Sequence, residues 1–490
     1  MKVYLLNPPA ERPILREGRC QTALDARATP IPQLTLALMA TQLRRAGLDV
    51  RLRDSIAERT SLNSVIGDLK EWRPQLVFAN TSAPSLHDDL KALTAIKEAV
   101  PEAVTVVFGA HATVEHLSLA RDRSVDVVIR GEPEFSGAAI AERLRHGRDL
   151  NGVRGITHRF REEIVVEQGR SDLADLDRLG WPARDLLPQR TYIHPIFRRS
   201  FTTILVSRGC PSQCIYCVAP VYHGRVLRKR SVENVLDEIE HDIVGRHGMD
   251  LCWFYADDLT RDKDYLRAIC EGLIARRVKI RWWGNTRADC RDPELFRLMA
   301  RAGCFMLAVG GESADDAVLA LAKKSITCED TAATLGMLRE AGIISLVYFM
   351  MGLPGETLQS IRKTAAFAQT SNPDFVEFYP AVPYPGTEFG RMAEASGSIR
   401  DPNLKHYESG GVRFISRIEG ISPRRLQWEL IRAYGRFYFR FQFVRNSVGR
   451  FQSLRQLLNL AYFAGGYLKR LLWAQGPYWM TSPTERLSGI

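Results

Sequence analysis

Two long segments of the chain alternate strand-like and helix-like runs, and this alternation is the feature that most restricts the fold. In residues 1–151, short apolar runs typical of buried strands are separated by amphipathic runs of helical length. Residues 196–395 repeat the pattern with six strand-like runs. Alternation at this spacing is typical of βα units around a parallel sheet. The sequence therefore predicts an α/β protein with two parallel-sheet domains.

The regions between and after these segments differ from them in composition. Residues 152–195 contain a predicted hairpin followed by Pro182 and Pro188, which is typical of an ordered linker. Residues 396–490 are predicted to form a helical C-terminal region. The first domain, residues 1–151, is predicted to be Rossmann-like. The second is predicted to be a partial (β/α)6 barrel of the TIM type, with its chemistry at the carboxyl ends of the strands.

Three cysteines follow the first predicted strand of the second domain. Cys210, Cys214 and Cys217 are spaced C-x3-C-x2-C. Thiolates at this spacing can bind three corners of a cubane, and such soft ligands suit iron–sulfur clusters. The pattern has no fourth cysteine, so one iron would be open to a small molecule. The alternatives are unrelated buried cysteines or a zinc site, but a structural zinc site normally has four protein ligands.

Small residues follow three neighbouring predicted strands of the first domain. Ser82 and Ala83 follow one strand, Gly109 the next, and Gly131 the one after. Strand ends of this kind form the crevice in which open α/β sheets bind ligands. The residues alone predict a site for a cofactor or nucleotide, with a domain retained only for packing as the alternative.

The cysteine motif, with an aromatic residue before its third cysteine, resembles the radical S-adenosylmethionine superfamily. Three later turns resemble that family too: Gly310-Gly311-Glu312, Gly352-Leu353-Pro354 and Tyr384-Pro385-Gly386. The resemblance implies that the open iron of a 4Fe–4S cluster binds S-adenosylmethionine and that one electron cleaves it to a 5′-deoxyadenosyl radical. It also implies S-adenosylmethionine contacts at Tyr216, Gly310, Gly311, Glu312, Gly352 and Pro354.

Residues 1–151 resemble the cobalamin-binding domain found ahead of many such barrels, so the resemblance covers residues 1–395. The motifs that carry it are Asn-Pro-Pro, Gly-x-His-Ala-Thr and Gly-Glu-x-Glu. The implied cobalamin contacts are Asn7, Pro8, Pro9, Ser82, Gly109, His111, Thr113, Gly131 and Glu132. The Asp-x-His-x-x-Gly string with which cobalamin mutases ligate cobalt does not occur in the sequence. We therefore expect cobalamin to bind without a histidine on cobalt.

Three further residues are candidate substrate contacts: Asp258, Arg287 and Tyr384. Asp257 and Asp258 follow a predicted strand, where only one of two adjacent side chains is expected to face the site, and a helix N-cap is the alternative. Arg287 follows the next strand and could bind a carboxylate, with a surface ion pair as the alternative. Tyr384 lies in the last of the family-like turns.

The positive charge of the chain is concentrated at its end. Residues 411–490 contain thirteen Lys or Arg and three acidic residues, and they account for +10 of the net +11. Arginines alternate with aromatics over residues 432–445, and Phe451–Trp473 predicts an amphipathic helix. Its longest uncharged run, Gln456–Leu468, spans about 20 Å, which is short of the ~30 Å hydrocarbon core of a bilayer. The favoured interpretation is peripheral membrane contact or a lipophilic substrate. The alternatives are a cap on the barrel and, least favoured, a nucleic-acid surface.

An odd count of nine cysteines, with no secretory run after Met1, predicts a cytoplasmic protein. The basic tail adds the prediction of peripheral contact at the inner face of the membrane.

The leading hypothesis is a cobalamin-dependent radical S-adenosylmethionine enzyme that methylates an unactivated carbon of a lipophilic small molecule. We expect its electron to come from a flavodoxin or ferredoxin. The alternatives are an oxidative or cyclising enzyme of the anaerobic protoporphyrin cyclase type and a non-catalytic cofactor- or lipid-binding protein.

Overall fold

The computed structural model describes residues 1–17, 21–23, 29–170 and 175–450. The first sheet is built from seven strands: β1 (Lys2–Asn7), β2 (Asp49–Asp54), β3 (Leu76–Asn80), β4 (Val104–Phe108), β5 (Val127–Ile129), β6 (Ile156–Phe160) and β7 (Glu163–Val166). Their order is β2-β1-β3-β4-β5-β6-β7, and the first five are parallel. Most residues of β1 and β3 are buried because helices cover both faces, so these strands are continuous apolar runs.

The helices of this domain pack on the two faces of the sheet. They are α1 (Leu34–Arg45), α2 (Ser55–Glu58), α3 (Leu62–Trp72), α4 (Leu86–Ala99), α5 (Ala110–Val114), α6 (His116–Arg121) and α7 (Pro133–Arg145). The predicted hairpin of the linker is present as β6 and β7. It pairs antiparallel with β5, through Ile129 and Ile156, and so extends the first sheet.

The second sheet is formed by the strands of the predicted barrel. The strands from here to the end of the domain are β8 (Thr202–Leu205), β9 (Ser207–Arg208), β10 (Arg228–Lys229), β11 (Leu251–Tyr255), β12 (Arg281–Arg287), β13 (Cys304–Glu312), β14 (Ile344–Met351) and β15 (Phe375–Pro380). Six of them pair in the order β15-β14-β13-β12-β11-β8, all parallel, and β9 pairs separately with β10. In the described residues β8 and β15 remain at opposite edges, so the sheet does not close. The α/β class and the two parallel sheets are as predicted.

The helices of the second domain connect successive strands. They are α8 (Ala219–Tyr222), α9 (Val232–Asp237), which continues as a π-helix (Glu238–Arg246), α10 (Lys263–Ala275), α11 (Pro293–Arg301), α12 (Asp316–Leu321), α13 (Cys328–Glu340), α14 (Leu358–Thr370) and α15 (Glu388–Ala395). The largest buried cluster of the chain packs these helices on the sheet. It includes Phe254 stacked on Trp282 with ring centroids 4.3 Å apart.

The connection between the domains is bonded to both of them. The buried Arg184 donates hydrogen bonds to Glu238, at 2.5 Å, and to Asp242, at 2.7 Å, in the second domain. Tyr192 donates to Asp54 at the end of β2, at 2.8 Å. Because breaking a buried ion pair is strongly destabilising, these contacts fix the linker as an ordered part of the structure.

The C-terminal region begins with helices that cover the edge of the second sheet. They are α16 (Pro423–Tyr438) and α17 (Phe441–Arg450). The Tyr434 hydroxyl accepts a hydrogen bond from the backbone N–H of Phe378, at 2.8 Å, and donates to its carbonyl, at 2.7 Å. Tyr438 does the same at Val376, at 3.2 and 2.6 Å. The helix thus satisfies open backbone groups of edge strand β15.

Part of the sequence prediction for the tail lies outside the described residues. This applies to the predicted helix Phe451–Trp473. Across the described ranges, the structure contains no helix with both the length and the apolarity needed to cross a bilayer.

Candidate functional site

The carboxyl ends of the two parallel sheets face each other. Loops after β3 and β4 pack against α8 and against the loop after β15, and their apolar side chains form one buried cluster: Ala83, Ala110, Val218, Tyr222, Val382, Tyr384, Tyr407 and Ile415. Parallel sheets bind ligands at their carboxyl ends. The two predicted sites therefore form one region between the domains.

A buried ionic network crosses this interface. Glu132, after β5, accepts hydrogen bonds from Arg228, at 2.5 and 2.9 Å, and contacts His223 Nδ1 at 3.0 Å. Glu134 binds Arg208 at 2.6 Å. Burial would raise the pKa of Glu132, but the Arg208 charge and the hydrogen bonds from His223 and Arg228 hold it well below its usual range. Both carboxylate oxygens of Glu132 thus face cations of the second domain, and its contact with cobalamin stays a prediction.

Arg208 connects this network to the cysteine loop, because Gly209 and Cys210 follow it directly. Gly209 has φ +86°, and a Cβ there would lie 2.1 Å from the carbonyl oxygen of Val226. Only glycine fits this turn. The N–H of Gly209 donates to Asp257 Oδ2 at 2.8 Å. The loop geometry is therefore set by a glycine and by a carboxylate from the end of β11.

None of the three motif cysteines forms a disulfide with another described cysteine; Cys210 is buried, and Cys214 and Cys217 are partly exposed. Over the described part of the chain, no three His, Cys, Asp or Glu side chains surround a single metal ion. A cubane has a different requirement, because each cysteine binds its own iron. Their placement on one glycine-shaped loop fits a cluster.

Two cations lie beside the cysteine loop. Arg287 Nη1 is 3.8 Å from Cys214 Sγ, and Arg287 Nη2 donates to the carbonyl of Lys324 at 2.5 Å. The Lys324 ammonium binds Glu312 at 2.9 Å. Two positive charges therefore lie close to Cys214. Arg287 is itself buried and also pairs with the exposed Asp289, at 3.1 Å; its role as a substrate contact stays a prediction.

The turn after β13 presents Glu312 to the same loop. The pairing of β13 with β14 shifts register between Gly310 and Glu312, and Glu312 has φ +60°. A bulge of this kind re-aims the side chain that follows it. Burial raises the pKa of the Tyr216 hydroxyl well above its usual value, and the nearby Glu312 carboxylate adds to the rise. Gly310, Gly311, Glu312 and Tyr216 therefore lie together, as the resemblance implies.

The turn after β14 contains Gly352, whose φ is +104°. Its N–H donates to Glu356 Oε2 at 2.5 Å, and Pro354 is partly exposed on the same turn. Burial raises the pKa of Glu356 to about 8, although the N–H groups of Gly352 and Leu353 oppose the rise. Glu356 therefore holds the backbone of the Gly-Leu-Pro-Gly-Glu turn in place.

The predicted cobalamin residues occupy one edge of the first sheet. Gly109 has φ +129°, and a Cβ there would lie 2.2 Å from the carbonyl oxygen of Thr81, so the two strand-end loops can pack closely only with glycine. Thr113 Oγ1 donates to the Gly109 carbonyl at 2.9 Å and accepts from the N–H of Gly131 at 3.0 Å. Ser82 Oγ lies 2.6 Å from Ser85 Oγ.

The Asn-Pro-Pro turn is held by an arginine that sequence reasoning missed. The buried Arg16 donates to Asn7 Oδ1 at 2.9 Å and to the Pro8 carbonyl at 2.8 Å, and it pairs with Asp89 at 2.6 Å. Asn7 in turn donates to Asp54 at 2.7 Å, and Pro9 is partly exposed. The side-chain polar groups of this turn are therefore used within the first domain. An isolated Arg between Leu15 and Glu17 carries no sequence signal for this role.

His111 differs from these residues because it is buried with two unused ring nitrogens. Neither nitrogen has a hydrogen-bond partner among the residues that the structure describes. Burial lowers its pKa to about 4, so the ring is neutral near pH 7. An unsatisfied buried polar group costs about 1–3 kcal/mol and calls for a partner. Since the neighbouring Ala110 belongs to the interdomain cluster, His111 fits a ligand that binds between the domains.

The remaining candidate substrate residues are buried near the loop. Asp258 accepts from Thr260 Oγ1 at 3.3 Å, and neither it nor Asp257 caps a helix, because Asp262 is the N-cap of α10. The Tyr384 hydroxyl accepts from the N–H of Ser409 at 3.0 Å. Their contacts with a substrate stay predictions.

Comparison with known proteins agrees with this geometry. Residues 204–368 match the model of the Radical SAM superfamily. An uncharacterized methyltransferase of Pyrococcus horikoshii is 26% identical over 441 residues, which cover 90% of this chain and 93% of that protein. The anaerobic magnesium-protoporphyrin IX monomethyl ester cyclase of Rubrivivax gelatinosus is 27% identical over 362 residues, covering 72% of this chain and 65% of the cyclase.

Among solved structures, the cobalamin-dependent S-adenosylmethionine radical enzyme OxsB, with aqua-cobalamin and S-adenosylmethionine bound, superposes with a TM-score of 0.74 at 15% identity. The superposition covers 96% of this chain and 72% of OxsB. The chain therefore has the fold of a cobalamin-binding radical S-adenosylmethionine enzyme. Residues 204–368 form a radical S-adenosylmethionine domain, as the cysteine motif predicted.

Proposed function

We propose that this chain is a cobalamin-dependent radical S-adenosylmethionine enzyme that methylates an unactivated carbon of a lipophilic small molecule. The observation that carries the proposal is that the cysteine loop and the crevice of the first domain meet at one interface, joined by Arg208. When bound, S-adenosylmethionine at a reduced cluster supplies a hydrogen-abstracting radical, and cobalamin supplies a methyl group. OxsB, which has this fold, was solved with cobalamin bound, and the Pyrococcus relative is named a methyltransferase.

In this proposal Cys210, Cys214 and Cys217 ligate the 4Fe–4S cluster. Arg287 and Lys324 stabilise its negative charge, because both are cations within the same buried region. The turns that contain Gly310 to Glu312 and Gly352 to Pro354 bind S-adenosylmethionine. A flavodoxin or ferredoxin is the proposed electron donor.

The crevice residues Gly109, Thr113 and Gly131 would hold the corrin by backbone approach, since glycines and a hydrogen-bonded threonine form their loops. A ring nitrogen of His111 would form a hydrogen bond with a polar group at the edge of the ligand. Because the cobalt-ligating motif of the mutases is missing, we propose that no histidine binds cobalt. An EPR spectrum of the cob(II)alamin form with nitrogen superhyperfine splitting from a protein histidine would contradict this.

A lipophilic substrate is supported by the apolar character of the interdomain cluster, to which Val382, Tyr384 and Tyr407 contribute. A second candidate function has its own support. The relative from Rubrivivax is named a cyclase of magnesium protoporphyrin, so an oxidative cyclisation of a large lipophilic ring is the competing proposal.

The test uses the full chain, reconstituted anaerobically with iron, sulfide and cobalamin, and then supplied with dithionite and S-adenosylmethionine. We expect 5′-deoxyadenosine together with S-adenosylhomocysteine. 5′-Deoxyadenosine without S-adenosylhomocysteine would favour cyclisation, and neither product would favour a non-catalytic binding protein. Replacing Cys210, Cys214 and Cys217 with Ala should abolish both products. Cys328→Ala, at a partly exposed cysteine on α13, is the matched control and should retain them.

A further inference from the structure

The outward face of the C-terminal helices has an unusual composition. In residues 423–443 the exposed side chains are exclusively arginines and large aromatics: Arg424, Arg425, Trp428, Arg432, Arg436, Phe439 and Phe441. The acidic residue of this segment, Glu429, is buried and pairs with Arg362 at 2.8 Å and with Arg425 at 3.0 Å. The face therefore presents positive charge and aromatic rings with no exposed carboxylate.

Five of these residues form a line along α16, and we name them the basic aromatic stripe: Arg425, Trp428, Arg432, Arg436 and Phe439. At 3.6 residues per turn, their spacing of three and four residues keeps them within an arc of about 80°, and they extend over roughly 21 Å. Trp428 is 55% exposed and Phe439 is 76% exposed. Phe441, 79% exposed at the start of α17, continues the line.

Packing of the helix on the domain does not account for these exposed rings. The opposite face of α16 already provides the core contact, because Leu426, Leu430 and Phe437 are fully buried on it. Large aromatics left in water next to arginines are typical of surfaces that bind a partner.

We propose that the basic aromatic stripe docks the enzyme on a bilayer that contains anionic phospholipid. Arginines bind lipid phosphates, and aromatic rings insert at the level of the headgroups. The shape fits as well, because a straight convex helix face can lie along a planar surface. The chain beyond residue 450 has no excess of acidic residues to pair with the arginines of the stripe, since residues 451–490 contain four basic residues and one acidic residue.

A nucleic acid fits the observations less well. Single strands are bound in positively charged grooves that follow many phosphates. Outside residues 411–490 the chain has a net charge of only +1, so the excess positive charge is confined to the C-terminal region.

The stripe also has a defined direction relative to the site. Tyr434 bonds to Phe378 and Tyr438 to Val376, so α16 runs antiparallel to β15 and its first turns lie toward the carboxyl edge of the sheet. Trp428 lies in that half of the helix. Docking through the stripe would set β15 along the bilayer with its carboxyl end beside Trp428, where a lipophilic substrate could enter from the membrane; this last step rests on the proposed function.

The experiment is co-sedimentation of the full, cofactor-free chain with vesicles of phosphatidylcholine alone and of phosphatidylcholine with 30% phosphatidylglycerol. We expect binding to the anionic vesicles that weakens with salt. Each arginine near an anionic surface contributes about fivefold to partitioning, so R432Q/R436Q should lower the partition coefficient about 30-fold. The matched control is K279Q/R301Q, which removes two exposed positive charges of the second domain and should leave binding unchanged.

A spectroscopic measurement tests the aromatic part of the proposal. Brominated phosphatidylcholine in the anionic vesicles should quench the fluorescence of the wild-type chain more than that of W428F. Equal vesicle binding by wild type and R432Q/R436Q would overturn the proposal, as would equal quenching in W428F. Stripe-dependent binding to a 20-nucleotide RNA without binding to vesicles would also overturn it. Because no cofactor is needed, these results are independent of the enzymatic tests.

Discussion

His111 allows the cofactor site to be tested through the stability of the cofactor-free chain. Its buried ring has two nitrogens without partners among the described residues, and each unsatisfied group costs about 1–3 kcal/mol. Leucine has a similar volume and no polar atom. After a repacking cost of up to about 1.5 kcal/mol, His111→Leu should raise the free energy of unfolding of the cofactor-free chain by about 1–2 kcal/mol. The same change should reduce cobalamin retention at least tenfold.

The pH dependence gives the same prediction a second measurement. The pKa of His111 falls from 6.5 in the unfolded chain to about 4 in the folded one. The unfolded chain therefore binds the proton more tightly. The stability that depends on a neutral ring is complete above pH 6.5 and is lost as the pH falls towards 4, by roughly 3 kcal/mol. His111→Leu should remove this loss between pH 6.5 and 4.

The assay is urea unfolding of the cofactor-free chain at pH 7.5 and pH 5, followed by tryptophan fluorescence and circular dichroism. Cobalamin retention is measured from absorbance after gel filtration of the reconstituted protein. The control is His158→Leu, because the buried His158 does have a partner, Glu167 at 3.4 Å, and its loss should destabilise the chain. If His111→Leu destabilised the cofactor-free chain as much as His158→Leu, or retained cobalamin fully, the reasoning would be refuted.

Three other perturbations follow from the geometry. Gly209→Ala should prevent stable cluster loading, measured as iron and sulfide per chain, because its Cβ would meet a carbonyl oxygen at 2.1 Å. The control is Gly224→Ala, where φ is +80° but the space around the residue is open. It should lower the free energy of unfolding by only about 1–2 kcal/mol and load the cluster normally. Arg287→Met removes a positive charge beside the cluster, so its reduction potential, followed by EPR titration, should fall by tens of millivolts; an unchanged potential would contradict this. Tyr434→Phe leaves two backbone groups of β15 without their side-chain partner and should lower the free energy of unfolding in urea by about 1–3 kcal/mol, so a loss below 0.5 kcal/mol would contradict the capping role of α16.

The interdomain network explains how one structure can align two cofactor sites. Glu132 and Glu134 come from the end of a strand in the first domain, and Arg208 directly precedes the cysteine loop. Removing one member of a buried ion pair typically lowers the free energy of unfolding by about 3–5 kcal/mol. These pairs therefore hold the carboxyl edges of the two sheets at a fixed separation.

The sequence predicted those features that depend on residues close together in the chain. Local apolar patterns predicted the strand Val3–Asn7, the hairpin after residue 152 and the six strands of the second domain. The structure contains them as β1, as β6 and β7, and as the six strands of the second sheet. The cysteine spacing and the strand-end turns are likewise local patterns. They were sufficient to predict the radical S-adenosylmethionine family.

The tertiary structure decided which of these local features meet. Arg287, predicted to form a surface ion pair or a carboxylate contact, pairs with Asp289 and also lies 3.8 Å from the sulfur of Cys214, a residue 73 positions earlier. Glu132, predicted to contact a cofactor, binds Arg228, a residue 96 positions later. Residues this far apart in the sequence come into contact only when the chain folds and the two domains pack together, so no local sequence pattern predicts their pairing. Sequence spacing therefore determined the kind of chemistry, and the fold determined which charges surround it.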